Sequence, residues 1–180
     1  MHWHKKTNKL MTCSTDRGII IWQEGENGQL LPQLVIIKEL KSNLDAQWNH
    51  RGDKICVGSS SGHVYVGSYN QEVNFWVTPS QTGDKPMHRA SMMSVAFDPG
   101  SGHVVASASA DGKVIITGCY DEVMDAKAKG TGPFAAVNSD GDTLFEFRND
   151  AWVNHVNFSP SGQWLAFASK CFHDITDCSK

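Results

Sequence analysis

The stretches WHKKTNKLMTCSTDRGIIIW, residues 3–22, and WNHRGDKICVGSSSGHVYVG, residues 48–67, decide how the chain folds, because one can be laid on the other without a gap. Each opens on a tryptophan, crosses a polar turn and enters a short apolar run, Leu10 to Cys13 in the first and Ile55 to Gly58 in the second. A second turn follows, at Asp16-Arg17-Gly18 and at Ser61-Gly62, and then a run dense in Ile and Val. Gly, Asp and Ser punctuate turns, and β-branched residues suit a pleated, half-buried surface, so each stretch predicts strand, hairpin and strand.

Two further windows fit the same frame: FDPGSGHVVASASADGKVIIT from Phe97 and FSPSGQWLAFASKCFHD from Phe158. Their apolar runs are Val104 to Ala108 and Leu165 to Ala168, and the third window turns at Asp111-Gly112. In the fourth, Cys171 stands at the turn and the pattern breaks off. The steps between the leading aromatics Trp3, Trp48, Phe97 and Phe158 are 45, 49 and 61 residues. A period near 40–45 residues with four strands per unit is that of a β-propeller blade. Further strands are predicted at Gln33 to Lys38, Asn74 to Thr78 and Thr143 to Phe147, with SMMSVAF and WVNHVNF as innermost strands of units three and four. The long third step is explained by an insertion over residues 122–142. The expectation is an all-β, partial propeller of about three to four four-stranded blades, incomplete at both ends. Its blades run over residues 1–39 (incomplete), 40–80, 86–149 and 150–180 (incomplete).

Composition narrows the function classes. The 180 residues are 40% hydrophobic, enough for a sizeable core, and the net charge of −3 leaves no electrostatic footprint for nucleic acid. No apolar run reaches the roughly 18 residues of a membrane span, so the chain reads as soluble and cytoplasmic. Cys13, Cys56, Cys119, Cys171 and Cys178 are odd in number and fall partly in apolar runs, which suits buried reduced thiols. Cys171 and Cys178 bracket His173, Asp174 and Asp177, but their spacing is not that of a zinc knuckle. No metal or cofactor is expected.

Some residues carry a resemblance to WD repeats. His88 lies nine residues before Phe97, and Asp111 lies two after Ser109, the spacing that family uses for a His, Ser and Asp network. Ser14, Asp16 and Trp22 match the other end of such a network in the first unit. The physical logic is that the turn Asp accepts hydrogen bonds from the His and from turn amides, a hydroxyl bridges, and an indole N–H completes the chain. Gly67 and Thr117 stand where the tryptophan would be, and units two and four lack the histidine.

The run from Thr7 to Glu39, the segment YNQEVNFWVTP from Tyr69, and LFEFRNDAWVNHVNFSPSG further resemble the family of subunit 1 of the actin-related protein 2/3 complex. That resemblance implies a non-enzymatic scaffold in an assembly that nucleates branched actin filaments. Its implied partners are the other subunits, the actin filament and an acidic activator. It also implies a seven-bladed propeller of which this chain holds the latter part of one blade, two whole ones and half of a fourth, so that the chain is expected to be a fragment. A second reading is a WD-repeat adaptor of another pathway, in a vesicle coat or in ubiquitin-ligase recognition.

Other features have competing readings. His88, Ser109 and Asp111 would suit a hydrolase only if they were not already a blade network. Lys5, Lys6 and Lys9 make a cationic loop that either meets an acidic partner or is simply solvated. The NSDGD stretch, Asn138 to Asp142, reads as a hairpin turn rather than a calcium loop. Phe75, Trp76 and Trp152 are read as packing between blades rather than as surface anchors.

Overall fold

The computed structural model describes residues 1–37, 41–81, 86–100, 102–118, 143–148, 151–169 and 173–177. The first unit runs β1 (His2–His4), β2 (Lys9–Cys13), β3 (Ile19–Glu24) and β4 (Leu30–Ile37). The second runs β5 (Asn43–Trp48), β6 (Lys54–Ser59), β7 (Val64–Asn70) and β8 (Phe75–Gln81). The third has β9 (Met92–Phe97), β10 (Val104–Ser109), β11 (Lys113–Gly118) and β12 (Thr143–Arg148). In the fourth lie β13 (Val153–Phe158), β14 (Trp164–Ser169) and β15 (His173–Asp177). Within each unit consecutive strands pair antiparallel, as in propeller blades. β1 and β15 each add a strand to an end unit beyond those legible in the sequence, because segments of three and five residues are too short to show a period.

Register makes the repeats superimposable. Trp3 pairs with Leu10, Trp48 with Ile55, Phe97 with Val105 and Phe158 with Leu165, so the leading aromatic lies at or next to the end of the first strand, against the second residue of the next. The units stack face on face. Met11, Ile19, Ile21 and Val35 of the first meet Ala46, Trp48, Ile55 and Val57 of the second. Cys56 and Val64 meet Val95, Phe97 and Val105, and Ala106, Val114 and Ile116 meet Val156, Phe158, Leu165 and Phe167. Alternation along each strand therefore gives every unit two apolar faces, one for each neighbour. Trp48 and Trp76 meet edge to face at 5.1 Å, and Phe147 stacks on Phe167 at 4.8 Å.

The innermost strands are also joined by polar groups. His2 Nδ1 accepts the Trp48 N–H at 2.9 Å, Asp45 Oδ2 accepts the Val95 N–H at 3.0 Å, and Ser94 Oγ lies 3.1 Å from His155 Nδ1. Asp45, Ser94 and His155 occupy matching positions where the register shifts by one residue. A bulge re-aims the side chain that follows it, and here it points Asp45 and Ser94 toward the next unit, while His155 meets Ser94 of the unit before it. At the rim, β4 and β8 pair in parallel, Val35 against Trp76, which joins the first two units into an eight-stranded sheet.

Candidate functional site

The groups that the sequence singles out gather at the turns, where backbone amides leave the ladders and need acceptors. At the turn after the first strand, the residue that follows the aromatic supplies one. Asn49 Oδ1 accepts from the amides of Gly52, Asp53 and Lys54, Ser159 Oγ from the Trp164 amide, and His4 Nδ1 from the Thr7 amide at 3.2 Å. Accepting there puts the His4 proton on Nε2, which donates to His50 O at 3.2 Å. This end of the second unit thus leans on the first.

At the opposite turn a serine hydroxyl accepts the amide two residues on: Asp16 from Ser14, Ser61 from Ser59, and Asp111 from Ser109. Asp111 then gathers donors. Its carboxylate accepts from Arg89 N at 2.9 Å and Lys113 N at 3.0 Å, and lies 3.2 Å from His88 Nδ1. The hydroxyl on the far side of the imidazole is that of Ser107, 2.9 Å from His88 Nε2; Ser109 instead bonds the carbonyls of Ala90 and Ser91. The first unit repeats the pattern without a histidine: Trp22 Nε1 donates to Thr12 Oγ1 at 3.0 Å, and Gly18 N donates to Asp16 Oδ1 at 2.8 Å. Thr12 and Ser107 hold the same register position, pairing with Ile20 and Ile115, and the sequence reading missed both. Their signal is a hydroxyl two residues before Ser14 and Ser109. Thr117, at the tryptophan position, has a buried hydroxyl with no hydrogen-bond partner among the described residues.

Burial lowers the pKa of His88, and the adjacent Asp111 only partly offsets this. Burial pushes the Asp111 carboxyl up, but the Arg89 amide, the His88 ring and the Lys113 amide outweigh it and hold the group below its usual range. A neutral His88 donating from Nδ1 and accepting at Nε2 satisfies both contacts, so the pair is a hydrogen bond rather than an ion pair. With its side chain wholly buried, His88 has no face left for a substrate.

Lys5 and Lys6 are exposed on the β1–β2 turn, whereas the Lys9 ammonium lies 5.8 Å from the centre of the Trp76 ring. Trp76 is buried, Phe75 is 44% exposed and Trp152 60% exposed, so packing between units accounts for Trp76 alone of the three. The sequence offers no evident nucleophile elbow, yet a Gly-x-Ser-x-Gly pattern does occur at Gly58 to Gly62. It forms the β6–β7 hairpin, with the Gly62 amide bonding Ser59 O, and not a strand-to-helix elbow. Cys119, the insertion 122–142 with its NSDGD stretch, Cys171 and Cys178 lie outside the described residues. No helix of the described residues is long and apolar enough to cross a membrane.

The family model for the WD domain, G-beta repeat, matches residues 81–122 and 141–174, the third and fourth units. The chain is 32% identical over 165 residues to Actin-related protein 2/3 complex subunit 1A of Arabidopsis thaliana, covering 92% of this chain and 42% of that one. It is 29% identical over 171 residues to Actin-related protein 2/3 complex subunit 1 of Schizosaccharomyces pombe, 92% and 43% covered. Against subunit 1A-B of Xenopus laevis it is 29% identical over 177 residues, 97% and 45% covered. The chain thus spans less than half the length of these relatives. Repeat spacing, blade pairing and likeness along the chain agree: the chain carries WD repeats and is similar over most of its residues to subunit 1 of actin-related protein 2/3 complexes.

Proposed function

We propose that the chain acts as a non-enzymatic scaffold in an actin-related protein 2/3 type of complex, in the cytoplasm and at the actin cytoskeleton. The likeness to subunit 1 over about nine-tenths of the chain carries this reading. Its geometry suits the role. Stacked units hold rigid turns at both ends of the strands, and loops on a rigid scaffold are where binding residues concentrate. The partners would be the other subunits, the filament and an acidic activator, with Lys5 and Lys6 on the exposed β1–β2 turn as the contacts offered to acidic groups. The non-enzymatic role is supported by the use of His88 and Asp111, whose hydrogen bonds are spent inside a blade.

Co-expression with the other subunits of an actin-related protein 2/3 complex, in place of subunit 1, tests the proposal. Stoichiometric co-migration on size exclusion is the expected result. Migration of the chain apart from an otherwise assembled complex would sink it.

A further inference from the structure

β4 belongs to two units at once. Its first part, Leu30 to Leu34, pairs antiparallel with Glu24 to Ile20 of β3, and its last three residues, Val35, Ile36 and Ile37, pair in parallel with Trp76, Val77 and Thr78 of β8. The strand therefore starts on the outer edge of the first unit and finishes on that of the second. Alternation along it serves both partners. Val35 is buried with Trp76 in the cluster that also holds Met11, Ile21, Trp48 and Val57, and Ile37 packs against the same cluster. Ile36, between them, points to the other face, and its carbonyl accepts a hydrogen bond from the buried Thr78 Oγ1 at 3.3 Å.

Backbone ladder and apolar core thus cross the same seam. Among the described residues the other seams carry no strand ladder, since β9 to β12 and β13 to β15 form separate sheets. The third unit is tied to the second by the Met87 and His88 amides on Gly62 O, by Asp45 on the Val95 amide, and by packing of Cys56 and Val64 on Val95, Phe97 and Val105. Ser94 reaches the fourth unit at His155 and Val156 O. Cooperative openings follow contiguous hydrogen-bonded units, so a seam closed by a ladder opens differently from one closed by turns and side chains.

We propose that β4 is a strap that fuses the first two units into one rigid, cooperatively opening body, to which the third unit is joined by a looser seam. The strap fixes the spacing of groups that face each other across the first seam, His4 against His50 O and Ser42 against Thr15 O. It lies wholly between Leu30 and Thr78, so it does not depend on what adjoins the chain at either end. It is also independent of the scaffold reading.

Native-state hydrogen exchange of the 180-residue chain in rising, sub-denaturing urea is the test. The ladder amides of β2–β3 and of β6–β7 should merge into one common opening with a shared urea dependence, and those of β10–β11 into a separate one. Separate openings for the first two units, or a single opening shared by all three, overturns the proposal. Ile36→Pro cuts the parallel ladder at its middle without emptying the core. It should split the common opening, quickening exchange in β2–β3 about tenfold relative to β6–β7, the size of roughly one lost hydrogen bond. Thr78→Val removes only the bond to Ile36 O, and its smaller splitting serves if the proline variant does not fold. A common opening left unsplit in the folded variant shows that packing alone joins the two units, and overturns the strap.

Discussion

His88 Nδ1 lies 3.2 Å from Asp111 Oδ1, and the two residues, far apart in sequence, fasten the lead-in of the third unit to its second hairpin. Asp111 also accepts the Arg89 and Lys113 amides, so removing its carboxylate strands three donors at once. Asp111→Ala should cost about 1–3 kcal/mol, chiefly from the buried His88 ring left without its partner, since the Arg89 amide is exposed and Lys113 half-buried. Asp111→Asn, which keeps one acceptor oxygen, should lose less. Urea unfolding at unchanged slope measures both. Equal stability of the Ala variant and the parent would refute the role given to this carboxylate.

Three histidines, His2, His50 and His88, are lowered from 6.5, chiefly by burial. A group with a lowered pKa binds its proton more readily in the unfolded chain. Stability should therefore be fully present above pH 6.5 and fall as the pH drops below it, toward the folded-state pKa values. Asp111, lowered from 3.8, adds a further loss only at more acid pH. Thermal melts between about pH 7.5 and pH 5.5 should show Tm decreasing over that interval, less steeply in His88→Gln. A flat profile, or one rising toward acid, would contradict the assignment of a neutral buried His88.

Much of the fold was legible because each unit repeats the same signals. An aromatic, a polar turn and an apolar run recur in all four units, and a Gly-containing hairpin turn in the first three, with the spacing of a blade. Register effects were not legible. That Ser107 rather than Ser109 meets His88 depends on which side of β10 each faces, and the one-residue shift between Ala108 and Ser109 re-sets that alternation. The parallel pairing of β4 with β8 joins strands that are far apart in sequence, and no local pattern announces it.

Gly62 and Gly28 both have positive φ, +85° and +72°, and differ in what surrounds them. A Cβ at Gly62 would meet the His88 carbonyl oxygen at 2.1 Å, because the Met87 and His88 amides both bond to Gly62 O there. At Gly28 the nearest atom, Glu24 Oε1, is 4.0 Å away. Gly28→Ala should therefore cost only the left-handed conformation, about 1 kcal/mol. Gly62→Ala adds a clash with backbone, which cannot rotate away, and should cost about 3 kcal/mol or more. A Tm drop for Gly62→Ala no larger than that for Gly28→Ala would show that the lead-in to the third unit does not pack on this hairpin.

Asp45 tests whether the innermost strands are joined by polar groups as well as by packing. Its Oδ2 accepts the amide of Val95, a wholly buried residue of the next unit, and its Oδ1 accepts the Ala46 amide. Asp45→Ala removes little apolar surface but strands the Val95 amide, so the loss should be about 1–3 kcal/mol. The change should also be local: hydrogen exchange at Val95 should quicken more than at Val105, whose amide belongs to the ladder of β10. Ser94→Ala is the matched comparison one unit on, where the hydroxyl faces His155 and the Val156 carbonyl, and it should loosen β9 from β13 while leaving Val95 protected. If Asp45→Ala quickens exchange evenly across all units, the side chain contributes to general stability and not to the seam between the second and third.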